Sequence, residues 1–191
     1  MGIRGLWGFR TGQKDKLTYC GFNSYPDGLG QTMIDFIKQN DDEKLLEIAN
    51  KIVLVSNEVK PTQKQFEECQ KLELVRLDAS EHSEEDWYCL LRNSQGDPFS
   101  YEGELTYMID SHTFLEDSLF CEYAYIINLD TKELEYYVGY NKSGGNSGRY
   151  EGVPNSDGYY PCRYAMSVTF DTIRTGDENE IINEMNNFAD A

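Results

Sequence analysis

Nucleophilic and acid–base chemistry needs a Ser, Cys or Thr within reach of a base. This chain offers two histidines, His82 and His112, and five cysteines, Cys20, Cys69, Cys89, Cys121 and Cys162. His82 lies among Glu81, Glu84 and Glu85, which reads as a solvated residue ahead of a helix. His112, in Asp110-Ser111-His112, is the one that could meet a cysteine across the fold. Neither G-x-S-x-G nor H-E-x-x-H occurs. The cysteines are odd in number and widely spaced, with no C-x-x-C, so the pattern indicates neither a disulfide framework nor a zinc site, and reduced thiols are expected. No cofactor and no metal are implied. The best anion-binding stretch is Ser143-Gly-Gly-Asn-Ser-Gly148 between Lys142 and Arg149, because flexible amides flanked by cations can cradle a phosphate. Without G-K-[ST] it reads first as a hairpin loop. Asp41-Asp42-Glu43 could hold a hard cation, but three acids at a helix start complement the dipole more simply.

The elements that would position these groups follow from periodicity. Ile3–Arg10 and Lys16–Phe22 read as strands joined by a short turn containing Gly12, an N-terminal hairpin over residues 1–26. Residues 27–118 read as mainly helical. Asp27 is placed as an N-cap, with apolar stripes at Met33, Ile34, Phe36 and Ile37 and at Leu45, Leu46, Ile48 and Ala49. Ile52–Val55 fits a buried strand or the tail of the preceding helix. Further helices are expected from Pro61-Thr62, from a cap at Ser83, and around Leu105, Met108 and Ile109. Residues 119–174 read as antiparallel strands, with a strong hairpin around Asp130–Glu133 and a third strand at Arg163–Phe170. A C-terminal helix over 177–190 uses Ile181, Ile182, Met185 and Phe188. The expectation is one α+β domain over 1–191. Its antiparallel sheet combines the N-terminal and C-terminal hairpins, with the helical middle packed on it.

Charge excludes several functions. The 191 residues hold 34 acids against 17 bases, a formal charge of −17. Such a balance argues against direct binding to nucleic acid or an anionic membrane, both of which need positive surface. No apolar run approaches the roughly 20 residues that span a bilayer. The excess is local: from Asp78 to Glu122 twelve acids stand against Arg92 alone, a charge of −11, whereas residues 1–30 carry +2. An acidic face is therefore expected from Asp78, Glu81, Glu84, Glu85, Asp86, Glu102, Glu104, Glu116 and Asp117, serving solubility or imitating nucleic-acid phosphates towards a basic partner. Nine of fourteen tyrosines fall after residue 122, where they suit a half-buried sheet or an interface.

M-G-I-R-G, the block Asn23-Ser24-Tyr25-Pro26-Asp27-Gly28-Leu29-Gly30, the hairpin Y-I-I-N-L-D-T-K-E-L-E-Y-Y and Tyr159-Tyr160-Pro161-Cys162-Arg163 resemble an uncharacterised family of bacteriophage and bacterial proteins. In that family Asp is usual where Asn23 stands. The resemblance implies a phage-like origin and a bacterial cytoplasm, but no activity. The opening hairpin also resembles N-terminal nucleophile hydrolases, from which this chain departs because Met removal would expose Gly2. Two functions are thus expected. The first is a non-enzymatic acidic protein that binds a basic-surfaced host protein, such as a nucleic-acid-handling or defence protein. The alternative is a small hydrolase or nucleotide-handling enzyme whose site gathers Arg4, Tyr25, Asp27 and Arg163.

Overall fold

The computed structural model describes residues 2–73 and 86–189. Strands β1 (Gly5–Thr11) and β2 (Lys14–Cys20) form the expected N-terminal hairpin. Its two turn residues, Gly12 and Gln13, both have positive φ (56° and 62°), the combination whose twist matches a hairpin. Helix α1 (Gln31–Gln39) continues from a wide helical turn at Pro26–Gly30. It is followed by α2 (Asp42–Lys51), β3 (Val53–Val55), α3 (Gln63–Lys71), the single turn α4 (Trp87–Leu90) and β4 (Tyr107–Ile109). Then come β5 (Tyr123–Asn128), β6 (Glu133–Val138), β7 (Arg163–Thr169), α5 (Phe170–Thr175) and α6 (Glu178–Ala189).

The α+β class holds, and both hairpins share one five-stranded sheet in the order β2-β1-β5-β6-β7. The sheet is mixed, which corrects the antiparallel expectation. β1 pairs with β5 in parallel, from Gly5↔Tyr123 to Arg10↔Asn128, while the other three pairings are antiparallel. Each hairpin has only local, antiparallel pairing, so nothing within either one dictates the direction in which the two meet. The tips meet as well, since the Asp130 carboxylate accepts from both Gly12 N and Gln13 N at 2.8 Å.

The helical layer also differs from expectation. α1 packs on the C-terminal helices α5 and α6, and α6 lies on β6 and β7. The layer is therefore assembled from the middle and the end of the chain. Leu105–Ile109 is not a helix: Tyr107–Ile109 pairs in parallel with Val53–Val55, anchored by Val53 N to Thr106 O (2.7 Å) and Asp110 N to Val55 O (2.9 Å). This two-stranded ribbon lies beside β2, where Ser111 N donates to Leu17 O at 2.8 Å. Asp27 is not a cap, because Pro26 fixes the first helical residue and places Asp27 inside the turn. Asp41 is one, its carboxylate accepting from Lys44 N, and Thr62 with Gln65 forms a reciprocal capping box on α3. The expected cap at Ser83 lies outside the described residues.

Alternation along the strands separates two cores. Trp7, Phe9, Tyr125, Ile127 and Tyr136 face the helices and join Met33, Phe36, Ile37, Leu45, Ile48 and Met185. Leu6, Leu17, Ala124, Ile126 and Tyr137 face the other way and are covered by Leu115, Cys121, Cys162 and the half-buried Phe114, Tyr150 and Tyr164. Burying this aromatic and aliphatic surface supplies the main driving force, at about 25 cal/mol per Å² of apolar area.

Candidate functional site

The parallel seam brings the starts of β1, β5 and β7 and the end of β6 to one end of the sheet, beside the Asn23–Gly30 block. That block is chiefly structural. Ser24, Pro26, Gly28, Leu29 and Gly30 are buried, and Ser24 O accepts the Tyr125 hydroxyl at 3.0 Å. A Cβ on Gly5 would stand 2.6 Å from the Ser24 Cβ, so only glycine lets the block close on β1.

The four expected binding residues share this end but not a cleft. Arg4 lies on the Leu6 face; its backbone N donates to Glu122 Oε1 (3.3 Å) and its guanidinium sits 4.7 Å from the Phe120 ring centroid. Arg163 is paired with Val138 on the helix face and donates to Phe188 O at 3.1 Å. It lines a polar groove of about 470 Å³ with Glu122, Tyr123, Tyr140 and Lys142. Tyr25 is exposed with its ring 5.9 Å from Tyr123, and Asp27 is exposed on the turn into α1. Arg4 and Arg163 thus stand on opposite faces of the sheet.

Of the expected acidic face, Asp78, Glu81, Glu84 and Glu85 lie outside the described residues, as does His82. Asp86 precedes α4. Glu102 accepts from Asn40 Nδ2 (2.8 Å) at the end of α1, and Glu104 borders a recess with Glu68 and Tyr107. Glu116 and Asp117 belong to the loop layer on the other side of the sheet, next to Leu115 and Cys121. The described members are therefore spread over two sides.

The cations are more revealing. Lys16 Nζ donates to the carbonyls of Ala49 (2.8 Å) and Ile52 (2.7 Å), and Lys51 Nζ to that of Gly103 (2.6 Å). Arg174 holds Asp42 at 2.7 Å and donates to the carbonyls of Ile37 and Asn40. Arg10 and Arg149 both hold Asp15. Arg149 also binds Glu135 and donates to the Tyr137 hydroxyl (3.1 Å), while Tyr150 donates to Asp15 Oδ2 (2.7 Å) and Asn128 Nδ2 to Glu135 Oε1 (2.6 Å). Burial alone would raise the Asp15 carboxyl, but the Tyr150 hydrogen bond and the two guanidiniums outweigh it and hold the group below its ordinary value. Because Arg149 turns inward and Lys142 lies over the Tyr159 ring at 5.2 Å, the glycine-rich loop is not built as an anion cradle. Asn141 organises it, donating to Ser147 Oγ and Pro161 O.

The cysteines are buried, and the described histidine is paired at the surface. All five cysteines are free and buried. Burial pushes the thiols of Cys20, Cys69, Cys89 and Cys121 up, that of Cys69 to about 11, which suppresses the reactive thiolate. His112 is exposed, its Nδ1 2.8 Å from Asp110 Oδ1. Among the described residues no group of three His, Cys, Asp or Glu could hold a metal ion, and no helix is long and apolar enough to cross a membrane.

Sequence reasoning missed a cavity of about 300 Å³ outside β2. Tyr19, Tyr88, Tyr101, Phe114, Leu91 and Ile109 form its walls, with Thr18, Asn57, Ser94, Gln95 and Ser111 between them. These residues come from β2, α4, β4 and four connecting segments, so no local spacing announces them. Compared with protein-family models, curated proteins and solved structures, the chain matches none, and its function is read from its own residues.

Proposed function

We propose that this protein works by binding rather than by catalysis. It presents an acidic surface to a protein partner whose own surface is basic, of the kind that handles nucleic acid in a bacterial cytoplasm. The observation that carries this reading is the acidic excess, which stands out at the surface while several of the cations are drawn inward. Lys16, Lys51, Arg10, Arg149 and Arg174 are committed to carbonyls and carboxylates of the fold, although Lys14, Lys64, Lys132 and Lys142 stand exposed. Carboxylates such as Glu43, Glu58, Glu67, Glu102, Glu104, Glu151, Asp157 and Glu180 stand exposed. With −17 in total, the surface field favours basic partners and repels polyanions. Because the described acids lie on two sides of the molecule, the partner is held by field and patch rather than by a phosphate-like row on one face.

The test is retention of partner proteins on the immobilised full chain at low salt and in 1 M salt, where the screening length falls to about 3 Å. A partner released by salt is then measured against Glu102→Lys/Glu104→Lys and Glu116→Lys/Asp117→Lys. Loss of affinity with either pair supports the reading. If neither pair alters binding, or no retained protein is salt-sensitive, the reading fails. The alternative enzyme site loses its geometric basis, because Arg4 and Arg163 do not face one cleft.

A further inference from the structure

Among the described arginines, Arg10, Arg149 and Arg174 each pair with a carboxylate, and Arg163 caps the Phe188 carbonyl. Arg4 and Arg92 do neither, in a chain with twice as many acids as bases. Neither lines the β2 cavity, but Arg92 follows its wall residues Tyr88 and Leu91 in the chain, and Arg4 stands at the start of β1 beside its wall residue Tyr19. Arg92 lies over the rings of Tyr88 (5.6 Å) and Phe22 (5.5 Å), and its Nη1 donates to Gln95 Oε1 at 2.5 Å. The same oxygen accepts Gly21 N at 3.1 Å. Gly21 stands one register step beyond the Gly5↔Cys20 pair, opposite Arg4, and where its side chain would be lie the Tyr19 hydroxyl and the Gln95 carbonyl. Arg4 and Tyr19 are on the same face of the hairpin, so the run Arg4–Gly21–Gln95–Arg92 makes a cationic lip beside an aromatic hollow.

The hollow has the other attributes of a small-molecule site. Its volume is at the lower end of the usual range, roughly 300–1,000 Å³, and its lining is mainly apolar with a few convergent polar groups. Those groups are uncommitted. The Tyr19 hydroxyl, the Ser111 hydroxyl and the Gln95 amide nitrogen donate to no described residue, although each has a donor hydrogen to give. Tyr19 and Phe114 meet edge to face at 5.1 Å and offer π surface to a flat ring.

We propose that this cavity binds a purine nucleoside monophosphate, with the base against Tyr19, Phe114 and Tyr88 and the phosphate at Arg4 and Arg92. The aromatic walls stack a flat base, most strongly one with the wide π-face of a purine. Gln95 Nε2 and the Ser111 and Tyr19 hydroxyls meet its polar edge. Two guanidiniums without carboxylate partners supply what a dianion needs and what the rest of this surface withholds. Both charges reach Tyr19, where they oppose the upward push of burial on its phenol. A free nucleotide carries few charges, so the overall −17 that repels a polyanion does not exclude it.

Calorimetric titration of the full chain with AMP and GMP, beside adenosine and inorganic phosphate, tests the assignment. Saturable binding of AMP or GMP, at least about tenfold tighter than either adenosine or phosphate alone, is expected. Arg92→Gln and Arg4→Gln should each weaken the nucleotide about tenfold or more and leave adenosine binding and the urea midpoint unchanged. Ser111→Phe, which fills the hollow, should abolish binding. Absence of binding by both nucleotides overturns the proposal, as does adenosine or phosphate binding as tightly as AMP. Nucleotide affinity unchanged in Arg4→Gln and Arg92→Gln, or in a folded Ser111→Phe, overturns it equally.

Discussion

The two faces of the central sheet are closed in different ways. On the helix side, Trp7, Phe9, Tyr125 and Tyr136 meet the apolar faces of the helices in a large aromatic and aliphatic core. On the other side a smaller apolar cluster is roofed by loops, and an ionic cluster of Asp15, Glu135 and Arg149 closes its margin. A helix satisfies its own backbone and needs only an apolar stripe to dock. The long connection between β6 and β7 satisfies only part of its backbone, through one 3-10 turn, the Ser156↔Tyr159 bridge and Asn141, and is fastened by side chains from β2 and β6. The first face is held by area, the second by specific partners.

Substitutions on the two sides should separate these modes. Trp7→Ala, on the helix face, is expected to cost about 3–5 kcal/mol, read as a lower urea midpoint with loss across the whole molecule. Arg149→Met should cost about 3 kcal/mol, the low end for a broken buried pair because a quarter of its side chain remains accessible. Adding Asp15→Asn and Glu135→Gln should recover much of that loss, since the damage lies in the stranded carboxylates. A loss below about 1 kcal/mol for Arg149→Met alone would show that both faces are held by area. Acid sharpens the contrast. Asp15 titrates below its unfolded value, so its contribution is complete above about pH 4 and disappears as pH falls through the lowered folded value. The penalty of Asp15→Asn should therefore shrink between pH 5 and pH 2, whereas that of Trp7→Ala should not follow this titration; equilibrium unfolding at each pH decides. The smallest effect belongs to α3. Thr62→Ala removes a capping box and should cost about 1 kcal/mol, with faster amide exchange confined to Gln63–Lys71.

Local patterns carried much of the fold. The hairpin turns, the stripes of α1, α2 and α6, the helix opening at Pro61-Thr62 and the strands β5 and β7 are all readable from spacing and turn chemistry. Tyr107–Ile109 is ambiguous in sequence because so short an apolar run fits a helix or a strand, and its partner Val53–Val55 lies more than fifty positions away. The parallel seam was invisible for the same reason. Of the candidate sites, the Asn23–Gly30 block is marked by its composition, although burial gives most of it a packing role. The cavity could not be foreseen, because Tyr19, Gln95 and Ser111 are ordinary residues in three separate stretches. The acidic excess was plain by count, but its division between two sides depends on which loops cover which face.

The seam between β1 and β5 also sets an order of events during synthesis. Gly5 finds its partner only when Tyr123 has been made, 118 positions later. At the slower ribosomal rates of about 5–20 residues per second, the inner edge of the N-terminal hairpin stays open for many seconds. That edge runs through Leu6, Trp7 and Phe9, which belong to both cores, so neither can be completed on the emerging chain before the second hairpin arrives. An unpaired apolar strand edge is a template for unwanted pairing, and its closure awaits a distant contact with a high loop-closure barrier. A chain shortened before residue 123 would keep that edge open permanently, which makes β5 the guardian of a strand made more than a hundred residues earlier.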